Sequence, residues 1–217
     1  MMKIARSVLF LAALALLAAP ALAADDGWVD LFDGKTLDGW HQCNGTATFV
    51  VEDGTVLGTT AEGSPNSFLC TKKLYSDFEL KFEVKVDDAL NSGVQIRSKC
   101  HGGVPSGRVH GPQVEIATNG TAGFVYGEAL STGWLSQDRG DPEAKAAFKR
   151  GEWNSYHVVA NGDSIKTTVN GVPVADLVDK KSGHTEGFIG LQVHGIGKNA
   201  GPYQVRWRNI QLKDLSK

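Results

Sequence analysis

The sequence lacks an excess of charge of either sign, and this absence limits the partners that it suits. Its 22 Lys and Arg residues against 24 Asp and Glu residues give a formal net charge of −2. Proteins that bind nucleic acid or anionic membrane surfaces usually carry a marked basic excess. We therefore expect neither nucleic acid nor, once the chain is mature, a membrane as a partner.

Metal-binding and redox motifs are also missing. The sequence has no C-x-x-C, H-x-H or H-E-x-x-H spacing and no aspartate-rich calcium loop. It has three cysteines, Cys43, Cys70 and Cys100. In an oxidising compartment two of them can form one disulfide and leave one thiol, or all three can be packing residues, and the spacing does not select a pair.

Long apolar runs are absent except at the N-terminus, where Val8 to Leu17 is unbroken. Lys3 and Arg6 precede this run, and Pro20 to Ala24 supplies small residues of the A-x-A type. This layout predicts a signal peptide over residues 1–23 and a periplasmic or secreted mature protein. A membrane anchor is the alternative, but an anchor needs about 20 apolar residues.

The remaining residues, 24–217, are predicted to form short strands in one domain. Phe78 to Val86 alternates apolar and charged residues, which is typical of a half-buried strand. Asp53-Gly54, Gly162-Asp163 and Asn170-Gly171 are hairpin turn signals between apolar stretches. Other strands are predicted at 48–52, 55–58, 93–98, 112–117, 156–161, 164–169, 172–175, 187–194 and 204–213.

Only residues 141–150 have helical character, with Pro142 near the start and Gly151 at the stop. Many short strands joined by Gly and Asn turns indicate a β-sandwich or jelly roll. We therefore predict an all-β fold with at most one short helix.

Three of the predicted strands carry a polar pair on one face. Residues two apart in a strand share a face, and the pairs are Gln95 with Arg97, Gln113 with Glu115, and Gln192 with His194. Apolar residues such as Val94, Val114 and Val193 alternate with them. If the three strands lie in one sheet, the six polar side chains form a common surface.

Short motifs in a recognisable order extend along the mature chain. They are WVDLFDGKTLDGW (28–40), SDFELKFEVKV (76–86), NSGVQIRS (91–98), GPQVEIA (111–117), GFVYGEA (123–129), TGWL (132–135), GEWNSYHVVANGDSIKTTVNG (151–171), GFIGLQVHG (187–195) and VRWRNIQLKDL (205–215). Each motif alone is weak, but the ordered series is specific and covers Trp28 to Leu215. In this series the sequence resembles the 3-keto-disaccharide hydrolase family.

The resemblance implies a concanavalin A-like jelly roll of two antiparallel sheets and action on glycosides already oxidised to a ketone at C3. The ketone makes the C2 proton acidic, and the glycosidic oxygen lies β to the carbonyl. A base can therefore expel the aglycone, after which water adds to the double bond. The route needs a base, donors to the C3 oxygen and a proton source for the leaving oxygen.

The resemblance and the polar pairs together give the expected site. We expect Glu115, His194 and Arg97 to be catalytic, with Glu115 as the base and Arg97 as the donor to the ketone. His194 is expected to be an acid, a base or a metal ligand. The expected sugar-binding residues are Gln95, Gln113, Gln192, Tyr126, Glu128 and Trp134, with Tyr126 and Glu128 placed on a loop. A divalent metal ion shared by Glu115 and His194 is left open.

Two other functions remain open at this stage. The same fold and aromatic residues would suit a carbohydrate-binding module without catalysis. A conventional glycosidase of this fold class would need a second acid close to Glu115, but Ala117 and Thr118 follow it. The 3-keto substrate would come from a sugar 3-oxidoreductase, which is the expected functional partner.

Overall fold

The computed structural model describes residues 26–216, which form fourteen strands and one short helix. The elements are β1 (Trp28–Asp30), β2 (Trp40–Cys43), β3 (Thr48–Glu52), β4 (Thr55–Thr59), β5 (Ser67–Thr71), β6 (Phe78–Val86), β7 (Ser92–His101), β8 (Arg108–Ile116), β9 (Val125–Glu128), α1 (Pro142–Ala146), β10 (Asn154–Asn161), β11 (Ser164–Val169), β12 (Val172–Val178), β13 (Phe188–Val193) and β14 (Gln204–Asp214). The predicted signal peptide lies outside the described residues. Within residues 26–216, no helix has the length and apolar character needed to cross a membrane.

The strands form two antiparallel sheets. The larger sheet has the order β12-β11-β10-β6-β14-β4-β3, with β1 added along β14. The smaller sheet has the order β2-β5-β13-β7-β8-β9. The predicted all-β sandwich with one short helix is therefore confirmed.

Local turn chemistry explains the hairpins that the sequence predicts. At the β3–β4 turn Asp53 and Gly54 have φ values of 49° and 70°, and the β11–β12 turn repeats this at Asn170 and Gly171, with φ values of 50° and 83°. Positive φ at both central positions matches the right-handed twist of the flanking strands, and Asn, Asp and Gly tolerate it best. These turns fix the register of both hairpins.

The core lies between the sheets and takes the apolar residue of each alternating pair. In β6 the exposed and buried positions alternate along the whole strand. Phe82 of β6 stacks on Tyr156 of β10 with ring centroids 4.8 Å apart, and Trp207 of β14 is fully buried. From the smaller sheet, Val94 and Val114 are fully buried and belong to the same cluster. Their polar neighbours must therefore point to the opposite face of that sheet.

Several sequence-based boundaries differ from the structure. The strands β1, β2, β5 and β9 were not predicted, because they are short and lack alternation. Tyr126 and Glu128 lie on β9, so their expected placement on a loop is wrong. The strands predicted at 93–98 and 112–117 are longer in the structure, because β7 extends to His101 and β8 begins at Arg108.

Candidate functional site

The polar strand pairs lie on neighbouring strands of the smaller sheet. β13, β7, β8 and β9 are adjacent, and Gln113 of β8 faces Gln95 on one side and Tyr126 on the other. Paired residues in antiparallel strands point to the same face. Gly93 of β7 is paired with both Glu115 and Gln192, which places these two side chains on that face as well.

A cleft of about 160 Å³ opens on this face. Its lining combines two acids, one imidazole, two amides and two aromatic rings: Asn91, Gln113, Glu115, Tyr126, Glu128, Trp134 and His194. Six of these seven residues were predicted as site residues from the sequence. The seventh, Asn91, was not.

Glu115 is held at the base of the cleft by a chain of hydrogen bonds along the sheet. The amide of Gln113 donates to Glu115 Oε2 at 3.0 Å, and Gln95 donates to Gln113 Oε1 at 2.6 Å. Ser98 Oγ donates to Gln95 Oε1 at 2.7 Å, which fixes the direction of the chain. Asn91 donates to the other carboxylate oxygen of Glu115. Both oxygens of Glu115 are therefore oriented by amide donors.

The Glu115 carboxyl is 6% exposed, and its burial raises its pKa above the ordinary value. The amides of Gln113 and Asn91 act in the opposite direction because they stabilise the carboxylate. The charge of Glu128 raises the pKa further and that of His194 lowers it. A desolvated carboxylate is a stronger base than a solvated one, which suits proton abstraction.

Gly93 provides the space that this chain of amides needs. A Cβ atom at Gly93 would lie 2.5 Å from Cδ of Gln113. The Gln113 side chain therefore lies flat across β7 and reaches Gln95. A larger residue at Gly93 would displace the amide that orients Glu115.

His194 lies one residue beyond β13 and reaches the cleft from that side. Its Nδ1 is 2.7 Å from the carbonyl oxygen of Gly195. A carbonyl only accepts, so Nδ1 carries the proton of this hydrogen bond. The tautomer leaves Nε2 of the exposed ring for a ligand, either as an acceptor or, when protonated, as a donor.

Glu128 is the second acid of the cleft and is 8% exposed. Asn66 Nδ2 donates to Glu128 Oε1 at 3.2 Å, and Asn66 Oδ1 accepts from the backbone N–H of Gly195 at 2.9 Å. Asn66 thus links Glu128 to the segment that carries His194. No sequence signal pointed to Asn66, because it lies in a turn before β5 and becomes a neighbour only in the folded chain.

Two aromatic residues form one wall of the cleft. Tyr126 and Trp134 meet edge to face with ring centroids 5.2 Å apart. The guanidinium of Arg139 lies 4.5 Å from the Trp134 ring centroid on the other side. Both aromatic rings are half-buried. Rings held in this way offer a rigid apolar surface beside the polar groups.

Arg97 does not share the cleft, so its predicted place beside Gln95 is wrong. The register of β7 shifts between Gln95 and Lys99, and Arg97 has a φ of 50° within this bulge. The bulge turns the side chain towards the larger sheet, where it donates to Asp77 Oδ1 at 2.8 Å and to the carbonyl of Gly162 at 2.7 Å. Arg97 is 2% exposed and ties the two sheets together.

Gln192 faces the cleft side of the sheet but is fully buried. Neither its Oε1 nor its Nε2 has a hydrogen-bond partner among the described residues. Buried amides without partners are uncommon in folded proteins. Gln95, which is also fully buried, donates to Gln113 and is not among the residues that line the cleft.

A larger hollow of about 720 Å³ lies on the outer surface of the larger sheet. Its lining includes the acids Asp30, Asp33 and Glu83 and the imidazole of His157. Glu83 accepts from Arg208 at 2.6 Å, Asp30 accepts from Gln211 at 2.9 Å, and Asp33 accepts from the N–H of Thr36 at 2.7 Å. These acids are exposed or partly exposed, and each already accepts a hydrogen bond. We place the functional site in the smaller cleft, because that cleft contains the desolvated acid.

The residues present do not favour the metal ion left open above. Within residues 26–216, no three His, Cys, Asp or Glu side chains are arranged to hold one. Both oxygens of Glu115 already accept hydrogen bonds from amide donors, which compete with coordination. We therefore derive no step through a metal.

Comparison with known proteins agrees with the fold and the motif series. The model of the 3-keto-alpha-glucoside-1,2-lyase-like domain matches residues 27–213. No curated protein matches the sequence.

Solved structures with a similar fold include two candidate glycosyl hydrolases from Parabacteroides distasonis. One has 20% identity and a TM-score of 0.60 over 88% of this chain and 94% of the other. The second has 23% identity and a TM-score of 0.57 over 87% and 99%. The carbohydrate-binding module CBM66 from Bacillus subtilis has 17% identity and a TM-score of 0.56 over 81% and 96%. At these identities the likeness shows the fold alone.

Proposed function

The chain belongs to the 3-keto-alpha-glucoside-1,2-lyase-like family, and from this premise we propose that it cleaves glycosides carrying a ketone at C3. Family membership supports a carbohydrate-related function. The observation that carries the finer proposal is Glu115, a desolvated carboxylate oriented by two amides in a cleft that His194 also lines.

In the proposed first step, the Glu115 carboxylate removes the C2 proton of the sugar. The electron pair moves through the C2–C3 bond onto the C3 oxygen and forms an enolate. Donors must stabilise this oxygen, and since Arg97 points elsewhere we assign the phenol of Tyr126 to this role. The aromatic wall of Tyr126 and Trp134 would orient the ring so that C2 faces Glu115.

In the second step, the enolate collapses, the C1–O bond breaks and a C1–C2 double bond forms. The leaving oxygen needs a proton, which we assign to His194 Nε2, because Nδ1 is engaged with Gly195. Water then adds its hydroxyl to C1 and its proton to C2. Glu115 loses its proton to solvent and His194 takes one up, which restores both groups. The net reaction is hydrolysis, without the opposed pair of carboxylates that ordinary glycosidases need.

The test uses a chromogenic 3-keto-glucoside, of each anomer, beside the parent glucoside that lacks the ketone. The proposal expects aglycone release from the ketone alone, because only the ketone makes the C2 proton acidic. In D₂O the released sugar should carry deuterium at C2. Free 3-keto-glucose incubated with the protein under the same conditions controls for exchange after release. Release from the parent glucoside at a similar rate, or product without deuterium at C2, would contradict the mechanism.

The second candidate is a carbohydrate-binding module without catalysis, which the edge-to-face pair of Tyr126 and Trp134 at the cleft favours. Calorimetric binding of a 3-keto-glycoside without aglycone release, and with binding retained in Glu115→Gln, would support it. In either case a sugar 3-oxidoreductase has to supply the substrate.

The apolar N-terminal run supports a periplasmic or secreted location, which cell fractionation would test.

A further inference from the structure

All three cysteines of the chain meet towards the β2 edge of the smaller sheet. Cys43 is the last residue of β2, Cys70 lies in β5, and Cys100 lies near the end of β7. All three are free thiols in the structure. Cys43 and Cys70 belong to a small apolar cluster of their own, against which Cys100 packs. None of the three lines the cleft that contains Glu115 and Glu128.

Cys43 is at the centre of this group. His41 Nε2 lies 3.3 Å from Cys43 Sγ. The thiols of Cys70 and Cys100 are its neighbours in the small apolar cluster. Interaction with the Cys70 side chain is the largest of the effects that lower the pKa of Cys43 to about 6, and the charge of His41 is the next of these effects. Since the thiolate is the nucleophilic form, the lowered pKa favours Cys43 as the nucleophile among the three thiols.

The other two thiols differ in their suitability as partners. Burial raises the pKa of Cys100 to about 11 and that of Cys70 well above its usual value. Cys70 is fully buried and Cys43 is 5% exposed, whereas Cys100 is partly exposed. Cys100 and His41 line a hollow of about 560 Å³. A small molecule in this hollow would therefore meet Cys100 and the imidazole beside Cys43.

The strand register also distinguishes Cys70 from Cys100 as a possible disulfide partner of Cys43. Cys43 is paired with Phe68 and His41 with Cys70, so Cys43 and Cys70 are diagonal neighbours. Diagonal Cα atoms are about 7–8 Å apart in a sheet, which is at or beyond the limit for an unstrained disulfide. Cys43 and Cys100 instead adjoin loops. The N–H of Gly45 donates to the carbonyl of Pro105 at 3.0 Å, which holds these two loops together.

We propose that Cys43 and Cys100 form a reversible disulfide by exchange with a small disulfide such as oxidised glutathione. The Cys43 thiolate attacks one sulfur of the oxidant and displaces a thiolate. Cys100, after losing its proton, attacks the Cys43 sulfur of the mixed disulfide and displaces the second thiolate. Two protein thiols are oxidised and one disulfide oxidant is reduced to two thiols, so electrons and protons balance. Cys70 remains reduced.

The test incubates the reduced, purified protein with oxidised glutathione and maps its disulfides by mass spectrometry of non-reduced peptides. Wild type and Cys70→Ser should both give the Cys43–Cys100 bond. Cys43→Ser should form no internal disulfide, and Cys100→Ser should stop at the glutathione adduct of Cys43. Thermal melting verifies that each variant is folded. A Cys43–Cys70 bond in wild type, an internal bond in Cys43→Ser, or no internal bond in wild type would overturn the proposal.

A second measurement follows alkylation of each cysteine by iodoacetamide between pH 5 and 9. Labelling of Cys43 should rise around pH 6 and precede that of Cys100. Equal labelling of the two at pH 7 would contradict the assignment of Cys43 as the attacking thiol. The ionisable groups that face the cluster and its hollow are His41, Lys72, Lys99, His101 and Glu186, together with the other two thiols.

Discussion

Replacement of Glu115 by glutamine separates the catalytic role of this side chain from its structural one. The shape of the side chain is retained, but the base is lost. A positioned general base contributes about 10²–10⁴-fold to a rate, which corresponds to about 3–5 kcal/mol of activation free energy. We expect kcat for aglycone release from a 3-keto-glucoside to fall by that factor, while the protein still binds the sugar.

The hydrogen-bond network should accept the glutamine without unfolding. Its Oε1 can take the hydrogen bond from Gln113, whose direction is fixed by Gln95 and Ser98. Its amide group would then face Asn91, which is half-buried and can turn its own side chain to accept. The variant therefore retains both contacts after one amide flip.

The raised pKa of Glu115 also predicts how its replacement changes the free energy of unfolding with pH. Burial raises the pKa of Glu115 above its ordinary value of 4.5, so ionisation of Glu115 disfavours the folded state. This cost is absent below the pKa of the unfolded chain and is fully present above the raised pKa of the folded one. The free energy of unfolding of Glu115→Gln relative to wild type should therefore increase from pH 4 to pH 7, as measured by urea titration.

The assay compares wild type, Glu115→Gln and Glu83→Gln, the last changing a partly exposed acid on the other sheet that is paired with Arg208. The wild-type rate should rise with pH as Glu115 loses its proton, and Glu83→Gln should keep this profile. Glu115→Gln should lose the rising limb. Activity of Glu115→Gln within about threefold of wild type would refute the assignment of Glu115 as the base.

Three further changes test the parts of the site. Gly93→Ala should lower kcat by at least about tenfold, because the added Cβ displaces the Gln113 amide from Glu115 and a hydrogen bond to a charged group contributes about 1.5–3 kcal/mol. An unchanged kcat would contradict the orienting role of the Gln113 amide. Arg97→Met should cost about 3 kcal/mol in urea unfolding, since it removes the charge partner of Asp77. The kcat of the folded fraction should stay near wild type, and a specific loss of kcat would restore Arg97 as a catalytic candidate. Trp134→Ala should raise KM by up to about tenfold with a smaller effect on kcat, and Trp134→Phe should return KM most of the way to the wild-type value. An unchanged KM in the alanine variant would remove Trp134 from the binding surface.

The sequence alone determined the features that depend on neighbouring residues. The alternation from Phe78 to Val86 gave the boundaries of β6 correctly, because one face of that strand is buried along its whole length. The Asp53-Gly54 turn was predictable because few residues accept positive φ. The placement of Gln113 and Glu115 on one strand face was also predictable, since period-two alternation shows which residues share a face. The ordered motifs identified the family.

Only the tertiary structure decided which of these polar residues meet. Arg97 has the same spacing from Gln95 as Glu115 has from Gln113, but a bulge directs it to Asp77 on the other sheet. Asn66 donates to Glu128 although the two are 62 residues apart and β13, β7 and β8 lie between β5 and β9 in the sheet. Alternation describes one regular strand. It carries no information on bulges, which break the period, or on the order of strands in a sheet, which depends on packing across the whole core.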